Sequence, residues 1–178
     1  MARATDADIS FQSDDGSGGD TEYFRLDGGV TQTIFSQNTL HSDSVEAIFG
    51  TGSDLKIHHD GTNSYVRNFT GNLYIRNTVD DKDIIFETDD GSGSTTAYLE
   101  LDGSESMIMI YKSTRMSDNH TLQIGSGADL RLEHDATNSY ITNHTGDLYI
   151  RNNADDEAII FQCDDGSGGV ETYFQLEG

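Results

Sequence analysis

The chain has 178 residues, with 32 acidic side chains against 10 basic ones and a formal net charge of −22. That balance repels nucleic-acid phosphate and an anionic membrane surface alike. Its single cysteine, Cys163, excludes an intrachain disulfide, and no apolar run approaches the ~20 residues of a membrane-spanning helix. No signal-peptide apolar region is present. The expectation is therefore a chain that stays in the cytosol until released by lysis, or a fragment, with no membrane insertion and no nucleic-acid partner.

Taken in chain order, the expected elements are all β. Strand-like pieces fall at Ile9-Ser10-Phe11 and Phe24-Arg25-Leu26. They recur at Leu55 to His58, Tyr65 to Arg67, Leu73 to Arg76, Ile84 to Glu87, Tyr98 to Leu101 and Met107 to Tyr111. Gly, Asn, Asp and Ser turns separate them at the close spacing of an all-β array. Nineteen glycines and the lack of any sustained i, i+3, i+4 apolar pattern argue against helices.

These pieces belong to an internal repeat of seventy-five positions. Asp54-Leu55 maps onto Asp129-Leu130, and Thr62-Asn63-Ser64-Tyr65 onto Thr137-Asn138-Ser139-Tyr140. Leu73-Tyr74-Ile75-Arg76-Asn77 maps onto Leu148-Tyr149-Ile150-Arg151-Asn152, and Asp89-Asp90-Gly91-Ser92-Gly93 onto Asp164-Asp165-Gly166-Ser167-Gly168. Residues 1–28 form a partial repeat, the C-terminal module of the unit. Residues 29–103 and 104–178 form two full repeats. Beginning inside a repeat suggests a fragment of a longer array, with a naturally short protein as the alternative. A unit repeated this regularly stacks, and stacking builds length.

Strand side chains alternate faces. In the triplets Ile9-Ser10-Phe11, Ile84-Ile85-Phe86 and Ile159-Ile160-Phe161 the outer positions stay apolar while the middle one accepts serine. The isoleucines and phenylalanines are therefore expected to face a core, and the middle residue water. Arg25, Glu100 and Gln175 are the wet positions of the next strand. By the same parity Cys163, two after Phe161, points inward. One apolar face per strand needs a cover. A single-chain β-solenoid would show a coil period of roughly 20–29 residues, and no such sub-period runs through the unit. An elongated array in which three identical chains wind about one axis, as an intertwined β-helix or β-prism, fits better, a preference that leans partly on the resemblance given next. The single-chain solenoid is the alternative.

The phrases Gly52-Ser53-Asp54-Leu55-Lys56-Ile57, His59-Asp60-Gly61-Thr62-Asn63-Ser64-Tyr65, Gly146-Asp147-Leu148-Tyr149-Ile150-Arg151 and Ile160-Phe161-Gln162-Cys163-Asp164-Asp165-Gly166-Ser167-Gly168-Gly169 carry a resemblance. They are similar to repeats in tail-fibre and related structural proteins of marine bacteriophages, notably those of cyanobacteria. The resemblance covers essentially the whole chain. It implies a homotrimeric fibre shaft on a virion that presents a host-recognition tip, with other fibre or tail proteins and a host surface glycan as further partners. No non-repeating tip segment is visible. A glycan-binding adhesion fibre and a polysaccharide-degrading tailspike are the alternative functions.

The constellations weighed for chemistry point to architecture. The Asp14-Asp15-Gly16, Asp89-Asp90-Gly91 and Asp164-Asp165-Gly166 loops offer hard oxygen ligands of the kind calcium takes. They lack the alternating carboxylates of an EF-hand, and Asp-Gly steps are also what tight turns require. In fibres of the kind resembled, His-x-His pairs hold a metal on a three-fold axis. Here the pair is adjacent, His58-His59, so the rings point to opposite faces, and only His59 persists, as His134. Cys163 replaces Ser13 and Thr88 of the other copies, which does not suit a nucleophile. Acidic clusters recur with the repeat, whereas an active site is singular. The expectation is a non-enzyme, with no catalytic, cofactor-binding or metal-ligating residue and no cofactor.

Overall fold

A computed structural model of the chain describes residues 6–178. Among these, the fold is all-β: fourteen strands in five small antiparallel sheets, with no helix. No helix long and apolar enough to cross a membrane is therefore present among them. The chain divides into two compact units, Met1–Arg76 and Asn77–Gly178.

The first unit holds two three-stranded meanders. One is built from β1 (Ile9–Asp14), β2 (Asp20–Asp27) and β3 (Gln32–Phe35), the other from β4 (Ala47–Phe49), β5 (Leu55–His59) and β6 (Ser64–Asn68). In the second unit β7 (Ile84–Asp89), β8 (Thr95–Asp102) and β9 (Met107–Ile110) repeat the first meander. The strands β10 (Thr121–Ile124), β11 (Leu130–His134) and β12 (Ser139–Asn143) repeat the second. A hairpin of β13 (Ile159–Asp164) and β14 (Val170–Leu176) follows.

Register explains which residues share a face. In the first meander Phe11 lies opposite Phe24, and Phe24 opposite Phe35. The corresponding row is Phe86–Leu99–Ile110 in the β7–β9 meander and Phe161–Phe174 in the last hairpin. A second row runs Ile9–Leu26–Thr33, then Ile84–Leu101–Ile108, then Ile159–Leu176. Cross-strand aromatic contact reinforces these rows: the Phe11 and Phe24 rings stack at 4.3 Å. All three copies carry a β-bulge at one place, where Tyr23, Tyr98 or Tyr173 has no partner opposite it. The repeated tyrosine thus marks an irregularity of the ladder.

The apolar rows are as expected, but their burial is not. No hydrophobic side chain is buried among the described residues, and Phe11, Phe86 and Phe161 remain 46%, 44% and 45% exposed. The reason is that each sheet is a single layer; within each unit, among the described residues, no strand of one sheet packs against a strand of another. Cys163 is exposed rather than inward, because the same lack of a second layer leaves its face uncovered. The expected strand at Leu73 to Arg76 does not form, nor does its mate at Leu148 to Arg151. A strand exists by its ladder, and no strand of the chain lies alongside either segment to provide one.

Magnitudes make the missing layer conspicuous. A compact monomer of this mass exposes about 8,500 Å², and two separate globules of the sizes of the two units about 10,000 Å². The chain exposes 14851 Å². A three-stranded sheet needs a covered apolar face to be stable by itself.

Candidate functional site

The residues that recur across the repeat converge on turns. In the first Asp-Asp-Gly-Ser-Gly loop, Asp15 Oδ1 accepts hydrogen bonds from the Ser17 amide at 2.7 Å, the Ser17 hydroxyl at 3.0 Å and the Gly19 amide at 3.2 Å. Asp14 Oδ1 accepts from the Gly16 amide at 2.5 Å. Asp90 and Asp165 repeat the pattern toward Ser92 and Ser94, and toward Ser167 and Gly169. Gly16 and Gly18 sit at φ 82° and 89°, a region glycine enters without steric penalty. Hydrogen bonds hold all three carboxyls below the usual range: chiefly from the Ser17 amide for Asp15, the Ser92 side chain for Asp90 and the Ser167 amide for Asp165. One oxygen of each second aspartate thus closes the loop on itself. These loops are turns in the structure, and no cluster of three metal-ligating side chains occurs among the described residues.

The His-Asp-x-Thr-Asn-Ser-Tyr segments form a second turn. Asp60 Oδ1 accepts from the amides of Thr62 and Asn63, both at 2.8 Å, and Asp60 Oδ2 from the Tyr65 hydroxyl at 2.9 Å. Asp135 does the same with Thr137, Asn138 and Tyr140 at 2.9, 2.7 and 3.0 Å. The Asn63 and Asn138 amides respectively are the first cause of the lowered carboxyl pKa. The recurring histidine braces this hairpin: His59 and His134 Nδ1 each lie 3.1 Å from a serine hydroxyl, of Ser64 and Ser139. A third turn closes on Asn68 and Asn143. The Asn68 side-chain amide donates to the Thr70 and Gly71 carbonyls at 2.8 and 3.0 Å, and Asn143 donates to Thr145 and Gly146 at 3.0 and 2.9 Å.

Side chains that differ between copies gather elsewhere. On the polar face of the first meander, Glu22 accepts from the hydroxyls of Ser10 and Ser36, each at 2.7 Å, and from Arg25 at 2.9 Å. These bonds, that of Ser10 first, lower its pKa. Not every acid has a repeat mate, since Ala97 and Thr172 stand at the Glu22 position. Arg25, expected to be wet, is half-buried among Glu22, Asp8 and Asp27. In the second meander Lys56 pairs with Glu46 at 2.5 Å. For its mate Arg131, Thr121 stands at the glutamate position, and the Arg131 Nε is buried without a hydrogen-bond partner. His58 stacks on Tyr65 at 4.9 Å, and its Nδ1 is likewise unpartnered.

One concavity of about 380 Å³ lies in the first unit, lined by Phe11, Tyr23, Phe24 and Phe35 together with Gln12, Gln37 and Asn38. Leu99 and Ile110 replace two of those aromatic residues in the next copy. The concavity was not foreseen from the sequence. Its signal was phenylalanine at positions 24 and 35 where the next copy has Leu99 and Ile110. No family model matches the chain, and comparison with curated proteins and with solved structures likewise finds no match.

Proposed function

We propose that the chain is a shaft segment of a homotrimeric fibre carried on a bacteriophage virion, where it spans distance and presents a host-recognition tip. The observation that carries this reading is the division of labour within the repeat. The strictly recurring polar residues close turns, as Asp15, Asp60 and Asn68 do, while the recurring apolar residues make sheet faces with no cover in the chain. A repeat with those two properties specifies stacking and lateral association. In this reading three chains cover one another's apolar rows, as an intertwined β-structure, and the acidic exterior keeps the fibre soluble.

A glycan-binding fibre draws on the concavity at Phe11, Phe24 and Phe35. A sugar ring stacks on an aromatic face, however, and the Phe11 and Phe24 faces are turned to each other, with interplanar angle 11°. The shaft reading therefore takes precedence.

Deleting residues 29–103 tests it. The deletion removes one repeat and lets Met107 take the place of Gln32: Asp27 pairs with Gln32, as Asp102 does with Met107. The expected product folds to the same circular dichroism shape and appears in electron micrographs as a shorter rod. Aggregated chain, or particles that are not rods before and after the deletion, would overturn the reading.

A further inference from the structure

Two segments of the chain have the composition of strands but, among the described residues, no strand to pair with. Leu73-Tyr74-Ile75-Arg76-Asn77 and Leu148-Tyr149-Ile150-Arg151-Asn152 are the same pentapeptide at the same phase of the repeat. Among the described residues, no backbone hydrogen bond within the chain reaches residues 73–76 or 148–151. Their side chains nonetheless alternate as in a strand. The Arg76 guanidinium lies over the Tyr74 ring at 5.5 Å, and Arg151 over Tyr149 at 5.9 Å. Residues i and i+2 share one side of an extended backbone, so Leu73 and Ile75 fall on the other side.

Composition separates these segments from linkers. Linkers are rich in Gly, Ser, Pro and charge, whereas Tyr and Ile favour strands. Exposure is matched between the copies: Tyr74 is 71% and Tyr149 73% exposed, Ile75 66% and Ile150 62%. So close an equivalence at two stations is a property of the repeat, not of one local connection.

We infer that Leu73–Asn77 and Leu148–Asn152 are interchain strands, each pairing edge-on with a sheet of a second copy of this chain. Three observations select that occupant. A segment repeated at a fixed interval calls for a partner that repeats at the same interval, and a second copy does. Each pentapeptide carries one arginine and no acid, in a chain of net charge −22, so it approaches a second copy with attraction rather than repulsion. The surface in excess of a compact fold, roughly 5,000 Å² per chain, is of the size that obligate assemblies bury. The sheets offer unguarded edges: the chain has no proline, and the edge strand β9 reads Met-Ile-Met-Ile with Ile108 66% exposed. Edges of that kind invite a further strand. The inference rests on the fibre reading for its assembly and adds the segments through which the chains join.

Hydrogen–deuterium exchange on the intact protein, with mass measured on the same sample, tests it. Because a strand at a sheet edge donates to its neighbour from every second amide, either Ile75 and Ile150, or Tyr74 with Arg76 and Tyr149 with Arg151, are expected to exchange on the order of 100-fold or more slowly than in an unstructured peptide. Proline at whichever positions prove protected, Ile75→Pro with Ile150→Pro or Tyr74→Pro with Tyr149→Pro, removes donors that have no partner within the chain, so it should lower the assembled fraction far more than alanine at the same positions. Trimer mass with these amides exchanging at the free-peptide rate overturns the inference and leaves the fibre reading standing. A folded monomer overturns both.

Discussion

Replacing Phe86 by alanine probes the uncovered apolar face. Phe86 sits in β7 opposite Leu99, which lies opposite Ile110, and 44% of it is exposed in the single chain. A phenylalanine side chain offers about 200 Å², so about 90 Å² remains for a neighbouring chain to cover. At about 25 cal/mol per Å² that area contributes about 2 kcal/mol per chain. A trimer loses it three times, about 6 kcal/mol, which is about four orders of magnitude in the association constant. The part already covered within the sheet brings the total loss per chain to about 3–5 kcal/mol. Sedimentation equilibrium over a range of concentrations, with thermal unfolding alongside, reads both effects. Ile85→Ser is the matched control on the opposite face, where the first copy already has Ser10; it should cost about 0.5 kcal/mol or less. Wild-type mass and wild-type melting temperature for Phe86→Ala would refute the covering of this face by a second chain.

Further outcomes follow from the turns. Because Asp15, Asp90 and Asp165 are satisfied by amides and hydroxyls within their own loops, a calcium chelator should leave the melting temperature unchanged; a large loss restored by calcium alone would make the loops metal sites. Ala136 holds φ 76° where the first copy has Gly61 at 96°, so Ala136→Gly should stabilise by about 1 kcal/mol, read as a higher melting temperature, and a lower one would contradict the left-handed turn. Asp135 has a folded pKa below its ordinary value, through the Asn138 and then the Thr137 amides. Folding therefore favours its ionised form, and its contribution is present above pH ~4 and lost as pH falls through the folded value. The melting-temperature gap between wild type and Asp135→Asn should accordingly narrow as pH is lowered below ~4, and a gap that widens there would reverse the sign of the shift.

The repeat made much of the fold legible. With three copies of one strand side by side, the alternation in Ile84-Ile85-Phe86 could be assigned from the tolerance of serine at position 10, and the register bears it out. Turn chemistry was equally readable, because Asp-Gly and Asn-Ser steps have few conformations open to them. The bulge at Tyr23, Tyr98 and Tyr173 was not readable, since the count of residues on two paired strands emerges only once they are paired. The apolar residues of Leu73 to Arg76 and of Phe86 signal a preference for a pleated surface or a covered face, and neither says which molecule provides it. That is why the segment read as a strand and Cys163 as inward, while the single chain has neither a ladder for the one nor a layer over the other. Glu22 and Arg25 were opaque for the opposite reason: their network depends on Ser10 from a neighbouring strand and on Ser36 just past the end of another, and no other copy repeats it.

The central claim is that the apolar faces of this chain are completed by two more copies of it. The mass in solution, by light scattering at low micromolar concentration on the folded protein, tests that most directly. The account predicts three times the chain mass of 19.5 kDa. A stable, folded species at 19.5 kDa with the same strand content would contradict it.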